Sequence, residues 1–142
     1  MNTGELDINE WIRIAEQDYE SAMKLSGFHP APLEVICYLC QQAVEKILKA
    51  YVIAKENKLT KTHDLKLLIE KCVQFSPDFD RFEKICSSLL LYSTLTRYPP
   101  VLDLAEHDMK QALKNADKIL EFTKSKLAEL GLANATQSVS RD

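Results

Sequence analysis

The sequence predicts an all-α protein, an up-and-down antiparallel bundle of four long helices plus one short helix. Apolar residues recur at helical spacing through most of the chain. Helix-start and helix-stop residues fall where those stripes begin and end. No strand-like alternation of apolar and polar residues competes with this pattern.

Asp7-Ile8-Asn9-Glu10 has the acid and Glu spacing of a capping box, and Trp11, Ile12, Ala15, Tyr19, Ala22, Met23 and Ser26 follow at helical intervals. The first helix is expected from about Ile8 to Leu25, with Gly27 as its stop. Pro30 and Pro32 enforce a non-helical link, in which His29 reads as an exposed loop residue.

Leu33 to Ala54, LEVICYLCQQAVEKILKAYVIA, is the stretch around which the rest is organised. Ile36, Leu39, Cys40, Ala43, Ile47, Ala50, Tyr51 and Ala54 cluster on one side of a helix. Val35, Cys37, Val44, Leu48, Val52 and Ile53 widen the apolar surface beyond one stripe, so this helix is expected to be packed on more than one flank. Tyr38, Gln41, Glu45 and Lys49 form a polar seam on its opposite side. Two readings of the seam stand side by side: a solvated face with an i,i+4 Glu45/Lys49 pair, or the polar wall of a groove between helices.

A locally basic connection, Lys55 to Thr62, leads to a short helix expected from His63 to Val73 with Thr62 as its cap and Leu65, Leu68, Ile69 and Cys72 facing inward. A basic loop running into a helix amino terminus suits a phosphate. Equally, Thr62 and Asp64 can satisfy those N–H donors themselves. Ser76-Pro77-Asp78 starts the next helix, with Ser76 as cap, and Phe79, Phe82, Ile85, Cys86, Leu89, Leu90 and Tyr92 carry it to about Leu95. Tyr98-Pro99-Pro100 stops it and holds Arg97 at a helix end. Asp103-Leu104-Ala105-Glu106 reads as a capping box that opens the longest helix, to about Leu130, with Gly131 as its stop. Its inward stripe runs from Ala105 and Met109 through Ala116 and Ile119 to Leu127 and Leu130. Residues 1–131 are expected to form the single domain, and the small, polar residues 132–142 a disordered tail.

Composition narrows the function classes. At 142 residues, 46% apolar and 27% charged, the chain is globular, with enough residues for one substantial core. A net charge of -3 excludes a surface that is basic overall, so any nucleotide or RNA site must be a local patch. No apolar run is long enough to span a bilayer, and the acidic start MNTGELDINEW is unlike a secretory leader, so a cytoplasmic protein is expected. Cys37, Cys40, Cys72 and Cys86 fall on apolar helical positions, and the one CxxC pair lies mid-helix without the turn a zinc knuckle needs. They read as reduced core thiols, with no metal site. With three glycines in the chain, no Gly-rich phosphate loop is present, nor is an HExxH motif or a Ser-centred elbow.

Three motifs in order carry a resemblance: Gln41-Gln42-Ala43-Val44-Glu45-Lys46-Ile47-Leu48-Lys49-Ala50, then Lys61-Thr62-His63-Asp64-Leu65, then Arg97-Tyr98-Pro99. Together they resemble the HEPN family (higher eukaryotes and prokaryotes nucleotide-binding domain) over roughly residues 8 to 130. The resemblance implies a helical bundle that commonly dimerises, often beside or fused to a minimal nucleotidyltransferase, in some cases in toxin–antitoxin-like systems. Some members are metal-independent ribonucleases. Two functions follow as expectations. The first is a non-catalytic nucleotide- or RNA-binding module, a homodimer or partner of a separately encoded nucleotidyltransferase, with no cofactor. The alternative is a ribonuclease with Arg97 in the active site.

Ligand binding would draw on Lys49, His63 and Arg97, with Tyr38, Gln41, Glu45 and Tyr98 lining the same groove. A guanidinium, an ammonium and a helix start can converge on a phosphate while tyrosines offer stacking faces. Against catalysis stands a spacing: in the family's ribonucleases a His follows an Arg after four to six intervening residues, and here those positions are Leu102, Asp103 and Leu104. His107, the next histidine, lies nine intervening residues after Arg97 and serves only under the ribonuclease alternative.

Overall fold

The structure, a computed structural model, describes residues 7–59, 61–93 and 103–132. Five α-helices account for most of them: α1 (Ile8–Leu25), α2 (Leu33–Glu56), α3 (Leu65–Phe75), α4 (Glu83–Leu90) and α5 (Glu106–Glu129). Short 3-10 turns, Pro77–Phe82 and Leu91–Ser93, flank α4. No strand occurs among the described residues. The expected stop at Tyr98-Pro99-Pro100, Arg97 itself and most of the predicted tail lie outside the described residues.

Side-chain pairs fix the topology. Asp18 meets Lys46 at 2.7 Å and Trp11 lies over Lys49, so α1 and α2 run antiparallel. The 3-10 turn before α4 packs on the far end of α2, where the Tyr51 and Phe79 ring centroids are 4.9 Å apart. Leu90 and Ser93 return to the Tyr38 end. Phe122 of α5 then stacks edge-on against both Phe79 and Phe82, closing an aromatic cluster between α2, α5 and the turn. The expected central helix is central: from Ile36 to Ile53 α2 presents buried residues on nearly its whole circumference.

Local chemistry explains the boundaries, including several that differ from the sequence reading. Asp7 caps α1 by accepting the Glu10 N–H, but the Glu10 carboxylate pairs with Arg13 instead of reaching back to complete the box. α1 closes through tightened turns, Gly27 N–H to the Lys24 carbonyl and Phe28 N–H to the Leu25 carbonyl, with no left-handed glycine. α2 runs two residues past Ala54 and ends on Asn57 in the left-handed conformation, which asparagine tolerates better than most side chains. Asp64, not Thr62, caps α3. Ser76 has no side-chain cap bond, and the Pro77 segment winds as a 3-10 turn before α4 begins, so the fourth helix is shorter than its apolar stripe suggested.

At α5 the cap shifts to Ala105, and the Asp108 carboxylate accepts the Ala105 N–H at 2.9 Å. Asp103 therefore lies before the helix, and Ala105 is exposed rather than inward. Gly131 ends α5 with φ +83, Leu132 N–H reaching the Leu127 carbonyl and Gly131 N–H the Ala128 carbonyl. Met23, Val35 and Leu130, placed on the inward or apolar surface by periodicity, are largely exposed. The four cysteines are fully buried free thiols. Burial pushes Cys37 up to about 11 and Cys86 up to about 12. No helix among the described residues is long and apolar enough to cross a membrane.

Candidate functional site

The polar seam of α2 is not solvated. Gln41, Glu45 and Lys49 are 0%, 4% and 2% exposed, so burial decides between the two sequence readings in favour of an interhelical position. Spacings of three and four residues set Tyr38, Gln41, Glu45 and Lys49 above one another on the helix. Glu45 is the hub. Its Oε1 accepts from Gln41 Nε2 at 3.2 Å, and its Oε2 lies 2.9 Å from His63 Nδ1 and 3.8 Å from Lys49 Nζ. Gln42 Nε2 in turn donates to Gln41 Oε1 at 2.8 Å. The Lys49 ammonium sits 5.1 Å from the Trp11 ring centre, a cation–π contact that helps hold a charge removed from water. Burial holds Lys49 below the usual lysine range, with the Glu45 carboxylate opposing that shift.

His63 reaches Glu45 because the loop before α3 is tied down. The Thr62 hydroxyl accepts the Asp64 N–H at 3.0 Å, and the Asp64 carboxylate accepts the Lys66 N–H at 2.9 Å. These side chains take two of the donors that a phosphate at this helix start would need, the Asp64 and Lys66 N–H groups, as the self-capped alternative expects. His63 itself remains 82% exposed at its side chain. Its ring stands at the mouth of a groove of about 510 Å³ lined by Tyr38, Gln42, Glu45, His63, Asp64, Leu90 and Ser93.

Of the seven residues expected around a ligand, Tyr38, Glu45 and His63 line this groove. Gln41 and Lys49 lie beneath it as supports of Glu45. Arg97 and Tyr98 fall outside the described residues. His107 is exposed in the first turn of α5. Gln42 and Asp64 line the groove as well: Asp64 reads from the sequence only as a helix cap, and Gln42 sits one residue off the helical seam. Leu90 and Ser93 had no sequence signal, because only the return of α4 to the Tyr38 end brings them here. Among the described residues, no group of three or more His, Cys, Asp or Glu side chains could hold a metal.

A larger cavity, about 580 Å³, opens between α1 and α5, lined by Tyr19, Glu20, Met23, Lys24, Asp117 and Glu121. Beside it Lys124, 1% exposed, is held at 2.6 Å by Glu16 and at 3.3 Å by Glu121. None of the motif residues reaches it. Size alone does not outweigh the buried hydrogen-bond network that the α2 groove stands on.

The elements define a class: an all-helical bundle whose central helix raises a buried polar network into an open groove. The chain belongs to the HEPN family, whose domain model matches residues 8–127. Its fold is similar to that of TT1696 from Thermus thermophilus, known from a crystal structure, at a TM-score of 0.69 and 22% identity. That match covers 89% of this chain and 99% of the other. At that identity the likeness is one of fold. No curated protein matches the sequence.

Proposed function

We propose that this HEPN-domain protein is a non-catalytic module that binds a nucleotide or RNA in the groove above Glu45 and His63. In this reading it acts in the cytoplasm as a homodimer, beside a separately encoded minimal nucleotidyltransferase and in a toxin–antitoxin-like setting. The observation that carries the reading is the buried Gln41–Glu45–Lys49 network. Three polar side chains withdrawn from water cost stability unless fully hydrogen-bonded, and an apolar seam would hold the bundle equally well. Here they orient one exposed imidazole over a groove of ligand size. Support for the dimer comes from Phe28, Val35 and Leu91, exposed apolar side chains at the end where α2 begins and α4 stops. The ribonuclease alternative gains nothing from the described geometry, and its Arg–His spacing is absent from the sequence.

Calorimetry with nucleotides and short RNAs on the wild type, His63→Ala and Arg97→Ala tests the binding reading. Heat of binding in the wild type that weakens in His63→Ala supports it, and three silent titrations reject it. Light scattering at micromolar concentration tests the dimer, which a monomer would exclude.

A further inference from the structure

We propose that the groove takes the amino-bearing edge of a nucleobase, with the phosphates directed outward along the adjoining lysine loop. This rests on the nucleotide-binding reading and reverses the phosphate-first polarity that the sequence motifs suggest. The argument is a donor and acceptor count. The Glu45 carboxylate faces the Lys49 ammonium at 3.8 Å, and a carboxylate accepts. His63 Nδ1 is then the donor to Glu45 Oε2 at 2.9 Å. Ser93 Oγ engages its proton on the Leu90 carbonyl at 2.8 Å and retains its lone pairs. Asp64 uses Oδ1 to cap α3 and presents a second carboxylate oxygen. Gln42 has one amide N–H engaged on Gln41.

Asp64 and Ser93 thus offer acceptors to a ligand, two of the lining side chains are carboxylates, and no Lys or Arg among the described residues lines the groove. Lys49, one helical turn beyond Glu45, is buried beneath it. A phosphate dianion is repelled there. An exocyclic amine is attracted, with the Tyr38 ring and Leu90 as apolar walls. Cytosine, adenine and guanine carry such amines, whereas uracil presents two carbonyls and a single N–H.

The second observation fixes the direction of the chain. The segment Lys61–Asp64 divides two surfaces: His63 and Asp64 line the groove, and Lys61 and Thr62 line a separate depression of about 420 Å³ with Lys58, Glu56 and Lys71, where Glu56 pairs with Lys71 at 3.0 Å and leaves Lys58 and Lys61 as the cations for a phosphate. One strand can therefore seat a base on the first surface and its phosphates on the second, across the segment that the two share.

Calorimetry on the full chain separates the outcomes, using cytidine, adenosine, guanosine, uridine, the corresponding monophosphates and inorganic phosphate. We expect at least one amino-bearing nucleoside to bind without its phosphate, and uridine to bind about tenfold or more weakly, as one bidentate base contact implies. Asp64→Asn, which still caps α3, should weaken that nucleoside by a similar factor. Lys61→Ala should reduce the salt dependence of oligonucleotide binding. Competition by inorganic phosphate, uridine binding as well as cytidine, adenosine and guanosine, or monophosphates that bind while every nucleoside fails would overturn the proposal and leave the binding reading standing. Silence of every nucleoside, nucleotide and RNA would remove both.

Discussion

Removing the Glu45 carboxylate tests the network at its hub. In Glu45→Ala the Lys49 ammonium, 2% exposed, loses its counter-ion at 3.8 Å, and the fully buried Gln41 amide loses its acceptor at 3.2 Å. Breaking one side of a buried ion pair costs about 3 to 5 kcal/mol because the remaining charge is uncompensated. The Trp11 ring at 5.1 Å retains part of the ammonium's stabilisation, so the lower end, about 3 kcal/mol, is expected. With an unfolding entropy of about 2.1 cal/mol/K per residue over 142 residues, that corresponds to a fall in Tm of about 10 °C. Lys49→Met leaves the Glu45 carboxylate, 4% exposed, with only Gln41 and His63 as partners, so it should also cost stability, and the double variant, which buries neither charge, should recover most of the Glu45→Ala loss, a coupling of about 1 kcal/mol or more. Thermal and urea unfolding followed by circular dichroism, at one fixed protein concentration, measures all four corners. A loss below about 1 kcal/mol in Glu45→Ala, or strict additivity in the cycle, would refute the reasoning.

Further outcomes follow from the same structure. Ile47→Ala, fully buried in the central helix, should cost about 2 to 5 kcal/mol by urea unfolding, whereas Lys58→Ala at the exposed loop should be nearly neutral. Stability should fall above about pH 8.5, where an unfolded thiol releases its proton while Cys37 and Cys86, pushed up to about 11 and 12, retain theirs. The native state then binds more protons, so each thiol contributes a negative slope of up to about 1.4 kcal/mol per pH unit, and Cys37→Ala with Cys86→Ala should lessen the fall of the urea midpoint from about pH 7 to about 10.5, the rest coming from Cys40 and Cys72, which burial also raises. Lys49, lowered by burial, contributes with the opposite sign. Purified protein incubated with a labelled structured RNA in EDTA should leave it intact; cleavage lost in both Arg97→Ala and His107→Ala would restore the ribonuclease reading.

Periodicity made the helices legible, because a stripe such as Leu65, Leu68, Ile69 and Cys72 has one physical solution, burial against a neighbour. It could not place helix ends, which depend on single hydrogen bonds. Asp64 outcompetes Thr62 as a cap because its carboxylate reaches the Lys66 N–H, and Asp108 replaces the expected box at Asp103 in the same way. The site was half legible. Tyr38, Gln41, Glu45 and Lys49 share a face by arithmetic, but whether that face meets water or protein is a tertiary fact. Lys49 shows the limit most clearly: a lysine on a polar seam reads as a ligand's cation, and only packing against Trp11 and Glu45 shows it as a buried support.

The central claim, that a nucleotide or RNA binds in the groove above Glu45, is tested most directly by the imidazole resonances of the three histidines during titration. His63 stands at the groove, whereas His29 lies in the α1–α2 link and His107 at the start of α5, so the latter two serve as internal references. Binding in the groove predicts that the His63 ring signals shift saturably with added nucleotide or short RNA while those of His29 and His107 hold still, and that the shift disappears in Glu45→Gln/Lys49→Met if the network orients the ring. A saturating titration that moves His107 and leaves His63 unchanged would contradict it.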